Sequence, residues 1–303
     1  MGRLLLYTAI ISLAGIALYF AFLGTVLIGL LEFNISALII LTVLIGSPFI
    51  AFALEGIYIK RHPKRIKFDP HDNPKVSIVL TAYNDELSVP EAVRDFKAAP
   101  HNELIVIDNY SADRTAELAA KEGAKVVSEK DFNKGYGGAC IRAMKEATGD
   151  IIILSEADMT FSGNDVKKFL AYIENADMVV GTRTTQELLA QNTQLDWFLN
   201  WGNQFLARLL QIKHWGKVRL TDVGCTYRAI RREALEKIID KLKVTGSEFS
   251  PYMVDVALEN NLKVIEIPVT FRERVGESKA IGRNKFKGIK LGLKMLKGIL
   301  FYW

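Results

Sequence analysis

The chain has 303 residues and a formal net charge of +5, enough for one large domain or two small ones. Its two cysteines, Cys140 and Cys225, and its four histidines, His62, His71, His101 and His214, stand in no metal-ligand spacing, so neither a disulfide framework nor a structural zinc site is readable. The positive charge suits a membrane surface better than nucleic acid, because no basic-aromatic interleaving and no nucleic-acid motif accompanies it.

Charge is unevenly spread. Residues 1–59 carry only Arg3, Glu32 and Glu55 as charged side chains. Leu4–Leu31 is uncharged for 28 residues, about 42 Å as helix, which crosses a hydrocarbon core of about 30 Å with tilt. Ile35–Leu54 offers a second run after a short turn. The first run is too long for the core of a signal peptide. A transmembrane helical hairpin is therefore expected over residues 1–59. The stretch "KRHPKRIK" (60–67) brings five Lys/Arg directly after the second span. Positive charge marks the cytoplasmic side, so the remainder of the chain is expected in the cytoplasm, behind a basic juxtamembrane linker at 60–74.

From there strands and helices alternate. "VSIVLTAY" (76–83), "ELIVIDN" (103–109), "AKVVSE" (124–129), "DIIILSEAD" (150–158) and "ADMVVGTR" (176–183) read as strands. Helical stretches near 112–122, 137–147 and 163–174 separate them, and Ser88–Glu91 carries a capping-box pattern. Apolar strands alternating with helices predict an α/β fold with a mostly parallel sheet flanked by helices, its ligands at the carboxyl ends of the strands. The second half predicts a Trp- and Leu-rich helix at 195–212, a loop, short strand and helix over 221–235, and a strand at 262–274. Residues 281–303 predict an amphipathic helix. In it Lys287, Lys290, Lys294 and Lys297 share one sector beside an apolar stripe of Ile289, Leu293, Leu296 and Leu300, widened by Phe286, Ile299 and Trp303. That pattern suits a bilayer surface.

Strand 150–158 ends in two carboxylates, Glu156 and Asp158. On an extended chain residues i and i+2 share a face, so both can converge on one ligand. Two close like charges call for a cation, and Mg²⁺ or Mn²⁺, which bring substrate phosphates with them, fit oxygen ligands. Capping of the following helix by Asp158 or Ser155 is the plainer use. Thr160 lies in line at i+2. The triplet has company at the same rim: "VLTAYNDE" (79–86), "VIDNYSADRT" (106–115) and "NKGYGGA" (133–139) all place polar or glycine residues at strand or helix tips.

In this set the chain resembles glycosyltransferase family 2, inverting nucleotide-sugar enzymes of GT-A fold, over roughly residues 75–280. Thr81, Tyr83 and Asp85 fall in its first motif, Asp108–Thr115 in its second, and Glu156-Ala157-Asp158 on its metal motif. "GTR" (181–183), "TDVGCTYR" (221–228) and "RVGESK" (274–279) follow in order. With the hydrophobic spans, the last of these points to the branch that makes polyprenyl- or dolichyl-phosphate sugars.

The resemblance implies a hexose transfer from a nucleotide sugar of UDP-glucose or GDP-mannose type to a polyprenyl phosphate at the cytoplasmic membrane face. It makes Asp158 the direct metal ligand, with Glu156 and Thr160 assisting. Thr81, Tyr83, Asp85, Asp108 and Glu156 fall to the donor, as does Lys134 in its glycine-rich turn. Arg183 and Asp222 join Asp158 in the chemistry, Asp222 orienting the acceptor or acting as base. Arg274, Ser278 and Lys279 hold the acceptor phosphate, since Arg grips phosphate in bidentate fashion. Glu248 is a weaker candidate for that wall. The alternative acceptor is a hydroxyl of a glycolipid or polysaccharide precursor. "QIKHW" (211–215) lacks the arginine of processive synthases and precedes Asp222. A sugar nucleotidyltransferase would need a basic glycine-rich loop that "TAYNDE" does not offer, and a degenerate nucleotide-sugar sensor is the non-enzymatic possibility.

Overall fold

The computed structural model describes residues 73–129, 133–191, 193, 197–276 and 285–303, with positions 15, 18 and 19. Apart from those three positions the expected hairpin lies outside the described residues, as do the juxtamembrane linker up to position 72, Ser278 and Lys279. Among the described residues no helix is long and apolar enough to cross a membrane. The fold concerns one compact unit, residues 65–208 and 218–303; residues 209–217 belong to a second.

Seven strands form one sheet in the order β3-β2-β1-β4-β6-β5-β7. They are β1 (Val76–Ala82), β2 (Glu103–Asp108), β3 (Lys125–Ser128), β4 (Ile151–Glu156), β5 (Met178–Thr182), β6 (Arg228–Arg231) and β7 (Val264–Pro268). The helices are α1 (Val89–Lys97), α2 (Thr115–Lys121), α3 (Gly135–Glu146), α4 (Val166–Ile173), α5 (Trp197–Lys213), α6 (Arg232–Ile238), α7 (Phe249–Glu259) and α8 (Lys285–Lys297), with a π-turn at Gly298–Tyr302. All pairings are parallel except those of β6, which runs antiparallel between β4 and β5. The α/β, mostly parallel sheet expected from the sequence is present.

The apolar strand runs are what hold this sheet. Every residue of β1 is buried, and Ile78, Val79, Leu80, Ile152 and Ile153 are fully so. Burial of each such side chain contributes about 1.5–3 kcal/mol. On α1 the buried Val89, Ala92, Val93 and Phe96 recur at helical spacing and face the sheet. The capping box does not form. Ser88 is helical rather than extended, and its hydroxyl donates to the Asp85 carbonyl instead of the helix. Pro in the first turn supplies the start in its place.

Two features of the second half position the site. The strand expected over 262–274 stops at Pro268, which has no N–H to continue a ladder. Residues 271–275 then run back along the tip of β4: Arg272 N donates to the Thr160 carbonyl (2.7 Å) and Val275 N to the Asp158 carbonyl (3.1 Å). At the chain's end the expected apolar stripe is divided. Met295 and Ile299 are buried, and the Trp303 ring packs on Tyr252 of α7 at 5.5 Å and against Gly298, where a Cβ would collide with it. Phe286, Ile289 and Leu293 stay exposed. Half of this helix therefore docks on its own domain. Lys294, expected beside the bilayer, pairs with Glu248 at 2.6 Å.

Candidate active site

Register brings the carboxylates to one edge. Ala82 lies beside Asp108 and Thr81 beside Glu156, so the tips of β1, β2 and β4 finish level. Each exit turns through a non-glycine residue with positive φ: Asn84 (52°), Tyr110 (68°) and Met159 (67°). Such conformations persist where the surroundings over-determine them. Here side chains bond to backbone across the exits. Asn84 N donates to Ser111 Oγ (2.9 Å), Asp85 N to Thr115 Oγ1 (2.8 Å), Glu86 N to Asp113 Oδ2 (3.1 Å), and Ala112 N to Asn84 Oδ1 (2.8 Å). The second motif's Ser111, Asp113 and Thr115 thus hold the first motif in shape.

These exits floor a cavity of about 630 Å³. Of the residues expected in the site, Thr81, Tyr83, Asp85, Glu156, Arg183 and Arg274 line it. Asp108 is buried behind the wall and accepts from Ser111 N. Lys134 is not among the lining residues; its ammonium pairs with Glu129 at 2.6 Å. The following helix is set instead by Asn109, whose side chain bonds Asn133, the Gly135 carbonyl and the Lys134 amide. Asn109 does line the cavity, and its position directly after Asp108 at a strand tip was the only signal for it.

Glu156 and Asp158 come together differently from the strand argument. β4 ends at Glu156, and Asp158 sits past it in a turn closed by left-handed Met159. Asp158 is 1% exposed. Its Oδ1 accepts from the Thr160 amide (3.0 Å) and hydroxyl (2.5 Å), so Thr160 holds the carboxylate. Its Oδ2 lies 2.8 Å from Arg274 Nη1 yet accepts no hydrogen bond. The same guanidinium is 3.6 Å from Asp85 Oδ1, and its Nε is buried without a hydrogen-bond partner. Burial, then the charge of Asp158, push the Glu156 carboxyl well above its ordinary value; Arg274 offsets part of this. Two carboxylates thus share one guanidinium, whose charge also reaches Glu156, and an orphaned Asp158 oxygen lies among them. That donor set fits a hard divalent cation. Among the described residues no group of three or more His, Cys, Asp or Glu is gathered as a metal site. Asp158 and Glu156 would hold such an ion, with phosphate and water oxygens completing its shell, as Mg²⁺ prefers.

On the other side of the cavity Arg183 clamps Asp222. Nε donates to Oδ2 at 2.7 Å and Nη2 to Oδ1 at 2.9 Å, while the Arg183 and Gly224 amides complete the carboxylate's bonds. Burial works to raise Asp222, but Arg183 and these donors together hold it below the usual carboxylate range. A carboxylate so held is a weak base. Arg183 also lies over the Phe271 ring, 5.1 Å from its centroid. Both cysteines are free and buried, and burial pushes each thiol up to about 12.

Above this polar floor the cavity wall is apolar and helical. Leu199, Trp201 and Phe205 come from α5, and Ile289, Leu293 and Leu296 from α8. Trp201 stacks on Phe205 (5.8 Å, 9°) and remains 64% exposed at the rim. The sequence marked both helices, but nothing in it pointed their faces at the carboxylates.

Residues 77–239, more than half of the chain, match the family model described as Glycosyl transferase family 2. The chain is 32% identical over 212 residues to "Low-salt glycan biosynthesis hexosyltransferase Agl6" of Haloferax volcanii, covering 68% of this chain and 49% of that protein. It therefore spans about half the length of that relative. It is 30% identical over 234 residues to "Uncharacterized protein MJ1222" of Methanocaldococcus jannaschii, covering 75% of this chain and 93% of the other. Among solved structures, glucosyl-3-phosphoglycerate synthase from Mycobacterium tuberculosis with Mn²⁺, UDP and phosphoglyceric acid aligns at TM-score 0.58 and 16% identity over 80% of this chain and 85% of that one. The same enzyme with Mg²⁺ and UDP aligns at 0.56 and 19%, over 75% and 79%. These likenesses establish a shared GT-A fold. The chain belongs to glycosyltransferase family 2.

Proposed function

We propose that the chain is a metal-dependent hexosyltransferase that moves a sugar, with inversion, from a nucleotide sugar to a polyprenyl phosphate at the cytoplasmic face of a membrane. One observation carries this reading: a single cavity joins a carboxylate-tipped polar floor to an apolar helical wall, with Arg274 and Arg183 on its lining. Tyr83 and Asp85 line the nucleoside end. A divalent cation on Asp158 and Glu156 would neutralise charge gathering on the departing diphosphate. Arg274, ion-paired to both donor-side aspartates, and Arg183 are the cations able to receive an acceptor phosphate. The apolar wall suits a hydrocarbon chain.

A hydroxyl acceptor would need a positioned base. Among the described lining residues the carboxylates are Asp85 and Glu156, both on the donor side, and Asp222 is tied to Arg183. A lipid phosphate, with a second pKa near ~6 by analogy with phosphoserine, needs no such base. The membrane assignment is supported by α8, where Phe286 and Leu293 are exposed beside exposed Lys287 and Lys290; each lysine near anionic lipid contributes about 1 kcal/mol. The test is a panel of nucleotide sugars given to the purified full chain with polyprenyl phosphate, with and without chelator. Chelator-sensitive transfer from one donor to the phosphate is expected. Transfer undiminished by excess chelator would contradict the metal role, and transfer only to phosphate-free glycolipids would contradict the acceptor.

A further inference from the structure

Glu266, on the edge strand β7, has no part in the site as described so far. Its carboxylate nonetheless accepts four hydrogen bonds, as many as Asp222 does. Oε1 accepts from the Thr221 amide (2.9 Å) and the Asp222 amide (3.0 Å). Oε2 accepts from the Thr221 amide (2.9 Å) and the Thr221 hydroxyl (2.7 Å). That hydroxyl lies 2.8 Å from Thr182 Oγ1 and 3.1 Å from Thr184 Oγ1, the residues on either side of Arg183. Register explains the reach: on β7, Glu266 lies beside Val180 of β5, two residues before Thr182.

We infer that Glu266 is a positioning residue for the acceptor side. Its ionised carboxylate fixes Thr221 and Asp222, Asp222 fixes Arg183, and the guanidinium facing the cavity is thereby set from the sheet edge. Through Thr221 the same carboxylate steadies both flanks of Arg183. An ionised carboxylate accepts at both oxygens, whereas its protonated form must turn one O–H against these donors. Burial pushes the Glu266 carboxyl up to about 7, the Thr221 and Asp222 bonds pull it down, and the charge of Asp222 pushes it up further. The charged groups facing it are Asp222 and, behind it, Arg183. Of the helices packed on β7, α4 brings Lys168, which is paired with Asp165 at 2.6 Å, and α7 brings the buried Asp255. The inference rests on the proposed acceptor role of Arg183.

Two measurements on the full chain test it. In the first, the Michaelis constants for donor and for polyprenyl phosphate are followed across pH for the wild type, Glu266→Gln and Glu266→Asp. Glu266→Gln is expected to raise the acceptor constant about tenfold, as loss of a charged hydrogen-bond acceptor does, with the donor constant within about twofold. The wild type's acceptor kcat/KM should begin to fall below pH of about 7, and Glu266→Gln should move that fall down to the phosphate's own second pKa near ~6. Glu266→Asp, which keeps the charge, should recover part of the loss. Equal changes in both constants, or an acidic limb unchanged in Glu266→Gln, would overturn the inference.

The second measurement needs no substrate. Folding keeps the proton on Glu266 up to about 7 against an ordinary 4.5, so the folded chain binds more protons than the unfolded one in that window. Wild-type Tm should therefore fall relative to that of Glu266→Gln as pH rises through it. In an Asp222→Asn background the fall should move to lower pH. A Tm difference that ignores pH, or one that Asp222→Asn leaves in place, would overturn the coupling. A wild type that turns over no polyprenyl phosphate would sink the acceptor assignment alone, and the melting curves would still decide for or against Glu266.

Discussion

The two sides of the cavity are built in different ways. On the proposed donor side, the exits of β1 and β2 are stitched by side-chain-to-backbone bonds between residues at most 30 apart, and each tip continues an apolar strand. On the proposed acceptor side, Arg183 meets Asp222 across 39 residues, and Thr221 meets Glu266 across 45. Arg274 reaches Asp158 because a segment returns along the tip of β4. The donor side is a local scaffold holding strained turns, and the acceptor side is a set of long-range ion pairs. Substitutions on the two sides should therefore differ in kind: donor-side changes abolish transfer, and acceptor-side changes grade it.

The largest effect is expected at Asp158, the carboxylate proposed to hold the metal. Asp158→Asn should lower kcat about 10³-fold, the scale of removing one preorganised charge-stabilising group. Calorimetric titration of nucleotide diphosphate with Mn²⁺ should show the matching loss of metal-dependent binding. Retained metal-dependent binding would move the ion elsewhere. Arg274→Ala comes next. It should weaken polyprenyl phosphate about tenfold or more, as losing one charge-assisted phosphate contact does, and the donor far less. Because Arg274 also touches Asp85 and Asp158, an equal effect on both substrates would dissolve the division between the sides.

Asp222→Asn tests the clamp itself. Arg183 and Asp222 side chains are 11% and 2% exposed, and breaking a buried pair costs about 3–5 kcal/mol, readable by denaturant melts. Asp222 is held below its ordinary value, so its contribution is present at neutral pH and is lost as pH falls through the folded value. The variant's deficit against wild type should thus shrink in acid. The smallest effect is expected on α8: Leu293→Ser should weaken binding to anionic vesicles by about 1–2 kcal/mol and leave the soluble donor's constant unchanged.

The sheet and the donor rim were legible because apolar runs ending in polar or glycine residues are a local pattern. That pattern put Glu156 and the segment holding Asp85 at the rim, and both line the cavity; the role expected of Asp85 came from the resemblance. Asp158 lies in a turn past the strand rather than on it, a placement that the alternation of an extended chain does not give. The motif residues Ser111, Asp113 and Thr115 proved to hold a loop. Lys134 was read from its glycines, but Glu129 five residues earlier takes its charge. The antiparallel insertion of β6 was not legible, because four residues show no direction. Nor was Glu266 or the division of α8's apolar stripe, since each depends on which distant element packs beside it. Arg228, fully buried, is anchored only by folding: three backbone carbonyls, of Cys225, Thr226 and Ser250, satisfy it.

The most direct measurement gives the full chain its donor with equal amounts of a polyprenyl phosphate and the matching polyprenol, and identifies the lipid product. Sugar on the phosphate alone is the predicted result, since Arg274 and Arg183 offer charge to an anion while Asp222 is tied up. Sugar on the alcohol at a comparable rate would mean that a base operates in this cavity, and would contradict the account.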